Sequence, residues 1–374
     1  MNVAIFETEH YEGSYPVIRL FDTGRNNITI FTNEVCHRQF QFLFGTDMNR
    51  YTWVVQTSNQ TKYDFIYFLG KEVKKRNIDL LWLNTVSNNH IVYATMLASL
   101  GNLRTILTIH DINGYFTFVP AFNLKRFVRY IGKRRLIRRV NEFNVVGNAM
   151  VNHLKKKLPP EKKVYNIPGC VFEPISYVKN ELKDAQAINI VVPGSLDVRR
   201  RNYAQVFELL DQLSSKNIKV NVTLLGGFNS EYGQWIKDEI NLYTDDADDL
   251  TVFWNEIVDQ PLFDKTMNEA HFVFLPSVQN TILFDGVTET YGESICSGNI
   301  FDVIKHARPA IIPSFLNIPP ELESSSLRYF AVEEICELLQ ATNYEDIAQK
   351  AFSNSMHFTA EALRERNPGL FEQE

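Results

Sequence analysis

Short apolar runs separated by segments of helical period are the dominant pattern along this chain. In the first half the runs are Val3–Phe6, Ile28–Phe31, Thr52–Gln56, Asp79–Leu83, Thr105–Ile109 and Phe143–Val146, closed by Val164–Val171. Between them, apolar positions recur at helical spacing near 35–44, 61–76, 89–100, 122–140 and 149–158. Glu173 to Gln186 is polar and lacks that spacing. The alternation then restarts, with runs at Ile188–Val192, Val220–Leu225, Thr251–Trp254, Phe272–Phe274, Ala310–Ile312 and Tyr329–Val332. Helical segments fall at 203–216, 230–243, 260–269, 299–307 and 333–341, and a last one runs from Tyr344 to Phe358. Strand–helix alternation with β-rich apolar runs predicts parallel sheets covered on both faces. The expected fold is therefore α/β, with two Rossmann-like doubly wound domains facing across a cleft. Residues 1–172 form the first, 173–186 the linker and 187–343 the second, and a helical tail over 344–374 is placed to cross back.

Composition narrows the partners. A chain of 374 residues can bury two cores, and 45% hydrophobic with 22% charged residues is ordinary for a globular protein. A net charge of -6 argues against nucleic acid as the main partner. Cys36, Cys170, Cys296 and Cys336 are scattered without CxxC spacing, which suits a reducing compartment. The start, MNVAIFETEH, has no basic region followed by a long apolar one, and no run approaches the ~18 apolar residues of a spanning helix. The expected location is the cytoplasm, extending to the inner face of the plasma membrane.

Ligands on parallel sheets sit beyond the strand C-termini, and that rule selects the loops to inspect. Glu7 to Pro16 contains Gly13-Ser14, either a close backbone approach to a substrate or an ordinary strand-to-helix turn. Asn84 to Asn88 is a second loop. In the third, Thr108 to Gly114, His110 and Asp111 sit at a strand end, where a neutral imidazole can bond a hydroxyl or simply be satisfied by nearby backbone. In the second half, PGSLDVRRRNY follows a strand: Gly194 and Ser195 allow close approach, and Arg199, Arg200 and Arg201 supply fixed positive charge. Guanidinium groups pair a diphosphate bidentately and can stabilise its charge as it departs. Gly226, in LLGG, is a further place for a nucleotide to come close. Tyr291 to Pro313, YGESICSGNIFDVIKHARPAIIP, reads as loop, helix and strand, with Ser297 capping the helix and Gly298 opening it to an anion.

Two charged stretches stand apart. Asp245-Asp246-Ala247-Asp248-Asp249 has DxD spacing but precedes a strand, so it reads as an acidic solvated loop, and no metal is expected. Leu124 to Val140 carries Lys125, Arg126, Arg129, Lys133, Arg134, Arg135, Arg138 and Arg139 without one carboxylate. Such a helix can lie on an anionic membrane surface or hold a phosphorylated acceptor; the alternative is a solvated face packed by its apolar stripe.

The second half resembles the GT-B glycosyltransferases, in particular the retaining branch that builds bacterial surface polysaccharides. PGSLDVRRRNY, LLGG, VFWNEIVDQPLFDKTMNEAHFVFLP and YGESICSGNIFDVIKHARPAIIP carry the likeness, about half the chain. The resemblance implies a nucleotide-sugar donor held by the second domain and a glycan or lipid-linked acceptor held by the first. It implies that Arg200 and Arg201 contact the diphosphate, that Gly194 and Ser195 line the site, and that His110 lies near the donor sugar. The branch commonly has two glutamates spaced eight apart; here Ser294 and Asp302 stand in those places. Asp302 can still accept from ribose hydroxyls, and Glu293 is the neighbour able to replace the first carboxylate. The expected activity is sugar transfer from a nucleoside-diphosphate donor to a hydroxyl, retaining and metal-independent, with the donor as substrate and no cofactor. A nucleotide-sugar epimerase of the same fold, or a non-catalytic adaptor, are the alternatives.

Overall fold

The computed structural model describes residues 1–118, 123–183, 186–228, 231–243, 249–255, 257–282 and 286–372. Its apolar runs form two parallel sheets. The first contains β1 (Asn2–Phe6), β2 (Asn27–Asn33), β3 (Thr52–Gln56), β4 (Leu80–Leu83), β5 (Arg104–Ile109), β6 (Glu142–Val145) and β7 (Lys163–Asn166). Their order is β3-β2-β1-β4-β5-β6-β7. The second contains β8 (Ile188–Pro193), β9 (Val220–Leu225), β10 (Leu250–Val252) and β11 (Phe272–Phe274). A small antiparallel pair, β12 (Asn280–Ile282) and β13 (Thr288–Thr290), stands aside before β14 (Ala310–Pro313) and β15 (Ser326–Tyr329). The second order is β10-β9-β8-β11-β14-β15. In both sheets the chain starts centrally, fills one edge and then reverses to fill the other. Loops diverge at that reversal, between β1 and β4 and between β8 and β11, and leave a crevice.

Strands buried on both faces explain the continuous apolar runs: every residue of β4 and of β14 is buried. One face of the first sheet is covered by α1 (Tyr11–Phe21) and α2 (Glu34–Phe44). The other is covered by α3 (Lys62–Lys75), α4 (His90–Ser99), a short α5 (Ile112–Phe116), α6 (Leu124–Arg139) and α7 (Asn148–Lys155). In the second lobe, α8 (Ala204–Ser215) and α9 (Gln234–Tyr243) lie on one face, and α10 (Gln260–Glu269) and α11 (Asn299–His306) on the other. The chain ends with α12 (Glu333–Ala341), α13 (Tyr344–Ser355) and α14 (Ala360–Arg366). Among the described residues no helix is long and apolar enough to cross a membrane.

Three local expectations need correction. The Glu7–Pro16 segment is mostly helix: α1 begins at Tyr11 and runs through Gly13, Ser14 and Pro16, because its face of Val17, Ile18, Leu20 and Phe21 is buried. Ser14 is used internally, its Oγ donating to the Tyr11 carbonyl at 2.9 Å. The strand expected over Val164–Val171 ends at Asn166; Ile167, Val171 and Phe172 remain buried as the chain leaves the sheet. The edge strand expected at Tyr329–Val332 is Ser326–Tyr329, and Val332 instead precedes α12.

Candidate functional site

The ends of β8 and β9 and the start of α11 meet in the second lobe. Gly194 follows β8 with φ of +92°, a region that glycine alone enters freely. A Cβ there would lie 2.0 Å from Nη2 of Arg201, and one on Gly226 would lie 2.1 Å from the Gly194 carbonyl oxygen. The two glycine loops therefore touch backbone to backbone. Arg201 joins them to the helix: Nη1 donates to the Ser195 carbonyl at 2.9 Å and Nη2 to Oδ1 of Asn299 at 2.7 Å. Asn299, the first residue of α11, donates from Nδ2 to the Pro193 carbonyl at 2.8 Å. Nε of Arg201 is buried without a protein hydrogen-bond partner.

Ser297 does not cap α11. Gly298 holds the cap position in helical geometry with no side-chain bond, and the Ser297 carbonyl accepts from the Ile300 N–H at 3.2 Å. The Ile300 and Phe301 N–H groups are thus taken by the Ser297 and Gly298 carbonyls, and what the start of α11 holds out to an anion is the positive end of its dipole.

The three consecutive arginines part ways. Arg199 is engaged within its own lobe: Nε and Nη2 pair with the Asp197 carboxylate at 3.0 and 2.6 Å, and its guanidinium lies 3.3 Å from the Tyr232 ring centroid. Arg200 is more exposed and only approaches Asp197, at 3.6 Å. Arg201 faces the glycine loops. One turn into α11, burial pushes the Asp302 carboxyl up to about 7; Glu12 and Asp264 reinforce the shift while Lys305 and Arg201 oppose it. Glu12 belongs to α1, so Asp302 lies where the lobes face one another.

On the opposite wall a buried carboxylate organises all three selected loops. Oε2 of Glu7 accepts from Nδ2 of Asn84 at 2.8 Å and from Oγ1 of Thr85 at 2.7 Å, and Oε1 accepts from the His10 N–H at 2.8 Å. Asn84 in turn positions His110, whose Nε2 lies 3.0 Å from the Asn84 carbonyl. That carbonyl can only accept, so Nε2 carries the proton and Nδ1 the lone pair in the neutral ring. Burial, then the nearby His10, hold the His110 pKa below its usual value, with Glu7 opposing. The ring is thus kept neutral at physiological pH.

Between the walls, residues 289–301 run along the first lobe. Oε1 of Glu289 accepts from the Gly114 N–H at 2.6 Å and Oε2 from the Asn113 N–H at 3.3 Å. Burial pushes this carboxyl up to about 7, against the bonds from Ser294, Gly114 and Asn113. Ser294, at the place of the missing first glutamate, is buried, and its Oγ accepts from the Thr290 N–H at 2.9 Å. Glu293, the neighbour able to replace that carboxylate, is largely exposed and reaches Nδ1 of His153 in the first lobe at 3.2 Å. The acidic Asp245–Asp249 loop lies outside the described residues except for Asp249, whose carbonyl accepts from the Val222 N–H at 2.7 Å. Among the described residues no three His, Cys, Asp or Glu side chains gather closely enough to hold a metal ion.

Glu7, Asn299 and Glu289 were not singled out from the sequence. An acid directly after an all-apolar strand is a readable signal for Glu7, and a polar first residue on an apolar-patterned helix is one for Asn299. Glu289 leaves no such trace.

No protein-family model and no curated protein matches the chain. Solved structures do. HepE from Anabaena, solved with UDP and glucose, superposes with a TM-score of 0.69 at 12% identity, covering 99% of each chain. Sucrose-phosphate synthase from Thermosynechococcus elongatus gives 0.66 at 13% identity, over 99% of this chain and 98% of that one. UDP-GlcNAc 2-epimerase from Neisseria meningitidis gives 0.61 at 10% identity over the whole of both chains. At such identities the likeness establishes fold alone. The chain has the GT-B fold, two Rossmann-like lobes facing across a cleft.

Proposed function

We propose that the protein is a glycosyltransferase that moves a sugar from a nucleoside-diphosphate donor to a hydroxyl acceptor. The observation that carries this reading is the junction of Gly194, Gly226, Arg201 and Asn299 at the start of α11. It offers bare backbone, the positive end of a helix dipole and a guanidinium at one point, the equipment for a departing diphosphate. Arg200 and Arg201 balance the charge that builds on the leaving oxygens, so the chemistry needs no divalent metal. Asp302 accepts from the ribose hydroxyls. Across the cleft, His110 presents its Nδ1 lone pair to the acceptor hydroxyl and orients it towards the anomeric carbon. Retention is carried by the resemblance alone, and with no carboxylate at position 294 to act as a nucleophile it would require attack from the leaving-group side. The structural neighbours support a uridine nucleotide as the first donor to try: one was solved with UDP, and another is named for UDP-GlcNAc.

One observation favours a second reading. Asp302 and Glu289, each pushed up to about 7, are carboxyls able to exchange protons at neutral pH, as a nucleotide-sugar epimerase requires. Incubation of the donor alone separates the two, since only the epimerase converts it to another nucleotide sugar.

The direct test is a melting-temperature screen against UDP, GDP, dTDP and their sugars. Saturation at a hundredfold above Kd contributes about 2.7 kcal/mol to stability and shifts the melting point accordingly. Arg201→Ala is expected to weaken diphosphate binding by about 1.5–3 kcal/mol. Arg200→Ala, which removes charge without unseating Asn299, is expected to weaken it in the same direction. Unchanged affinity in both variants overturns the assignment.

A further inference from the structure

The face that α6 turns to solvent is the feature the cleft does not explain. Gly132 lets this helix lie directly on α4: a Cβ there would sit 3.0 Å from Cβ of His90 and from Cγ1 of Ile91. Leu136 and Ile137 are buried in the first-lobe core, and buried Lys133 donates from Nζ to the Gly114 carbonyl at 2.8 Å. The inward side is therefore complete with residues of the second half of the helix.

Leu124, Phe127 and Val128 have no part in that packing: they are 78%, 48% and 45% exposed. At 3.6 residues per turn, these three and Ile131, Arg135, Arg138 and Arg139 fall within about 140° of arc. The outward face is thus apolar over the first two turns and cationic over the last two. Phe118 extends the apolar end, its ring 6.0 Å from that of Phe127. Arg135, Arg138 and Arg139 are exposed, and the helix carries no acid to neutralise them, although the whole chain has a net charge of -6. Simple solvation accounts for the arginines and not for three large apolar side chains standing in water beside them.

We infer that the outward face of α6 docks on an anionic lipid bilayer. Leu124, Phe127 and Val128 enter the headgroup–acyl boundary, and Arg135, Arg138 and Arg139 pair with lipid phosphates, the division of labour that an interfacial helix uses. The charge complementarity selects a bilayer of negative headgroups over a neutral one, and the apolar end selects a bilayer over a soluble polyanion. The position also fits. Phe127 at the apolar end touches Phe118, two residues past α5, and the Asn113 and Gly114 N–H groups of α5 meet Glu289 of the other lobe at the cleft. Docking would therefore set the rim of the cleft against the bilayer, within reach of a lipid-anchored hydroxyl. That corollary rests on the glycosyl-transfer reading, whereas bilayer binding does not.

Sedimentation of the full chain with phosphatidylcholine vesicles, with and without phosphatidylglycerol, tests the inference. Binding is expected only with phosphatidylglycerol and should weaken as salt rises. Arg135→Glu, Arg138→Glu and Arg139→Glu together should reduce it at least tenfold. Leu124→Ser, Phe127→Ser and Val128→Ser together should reduce it several-fold, leaving a weaker residue that salt abolishes. These positions are outside the core, so melting temperature and nucleotide binding should stay unchanged and exclude unfolding as the cause. Absence of binding by the wild type, equal binding to neutral vesicles, or undiminished binding by either triple variant overturns the inference.

Discussion

Asp302 shows how much one side chain's setting can alter its chemistry. Its folded-state pKa, about 7, stands well above the ~3.9 of an aspartate in an unfolded chain. The folded protein consequently holds this proton more tightly than the unfolded one. The stability it contributes is complete below about pH 4 and is lost as pH rises through 7. Asp302→Asn removes the titration, so its melting temperature should fall less than that of the wild type between pH 5 and pH 8. Parallel curves for the two proteins would mean that the carboxylate is ionised in the fold throughout. Arg199 teaches the converse lesson. As one of three adjacent arginines it is indistinguishable in sequence from Arg201, yet Asp197 and Tyr232 occupy it. A run of like residues reports charge near a site; the partners decide which member faces the ligand.

Elements were legible where burial made them uniform. Val3 to Phe6 and Ala310 to Ile312 are interior strands whose apolar residues, all buried, leave few other readings. At the edges that signal fades. β15 is Ser-Leu-Arg-Tyr with only Tyr329 buried, and the run after it misled the assignment. The β12–β13 pair is mostly polar and without clear alternation, so nothing in it announced the contact that Glu289 makes. Gly13-Ser14, expected in a loop, and Pro16 sit inside α1, where tertiary burial outweighs local preference. The tail beyond α14 has its own anchor. Leu370 is fully buried in the first-lobe core, Arg104 donates to the Gly369 and Leu370 carbonyls at 2.8 and 3.0 Å, and Nε of Arg364 donates to the Leu20 carbonyl at 2.9 Å. Leu370→Ala should accordingly cost about 2–5 kcal/mol, the usual penalty for emptying a buried leucine site. A urea titration measures it, and an unmoved midpoint would mean that the tail contributes nothing to the lobe it returns to.

At the scale of the whole molecule the lobes are joined in two different ways. The returning tail is packed into a core and behaves as a fixed tie. The 289–301 segment makes a thinner junction: Glu289 on the α5 N–H groups, Glu293 on His153, Cys296 against Gly147 and Phe301 against Gly169. Two of these contacts are polar and two pack the partly buried Cys296 and Phe301 on the first-lobe core, less than the fully buried Leu370 gives the tail, so this junction is the one suited to open while the tail holds. Its most polar member is the Glu289 carboxylate, whereas the diphosphate junction is held by bonds among second-lobe residues, Arg201 to Ser195 and Asn299 and Asn299 to Pro193. The two should therefore separate experimentally. Glu289→Ala removes two charge-assisted bonds, about 1–3 kcal/mol of closure. Small-angle scattering of the variant should show a larger radius of gyration, while nucleotide affinity changes little. Turnover should drop with it, because the His110 wall no longer meets the donor. A variant as compact and as active as the wild type would show that the Glu289 bonds are not what closes the lobes.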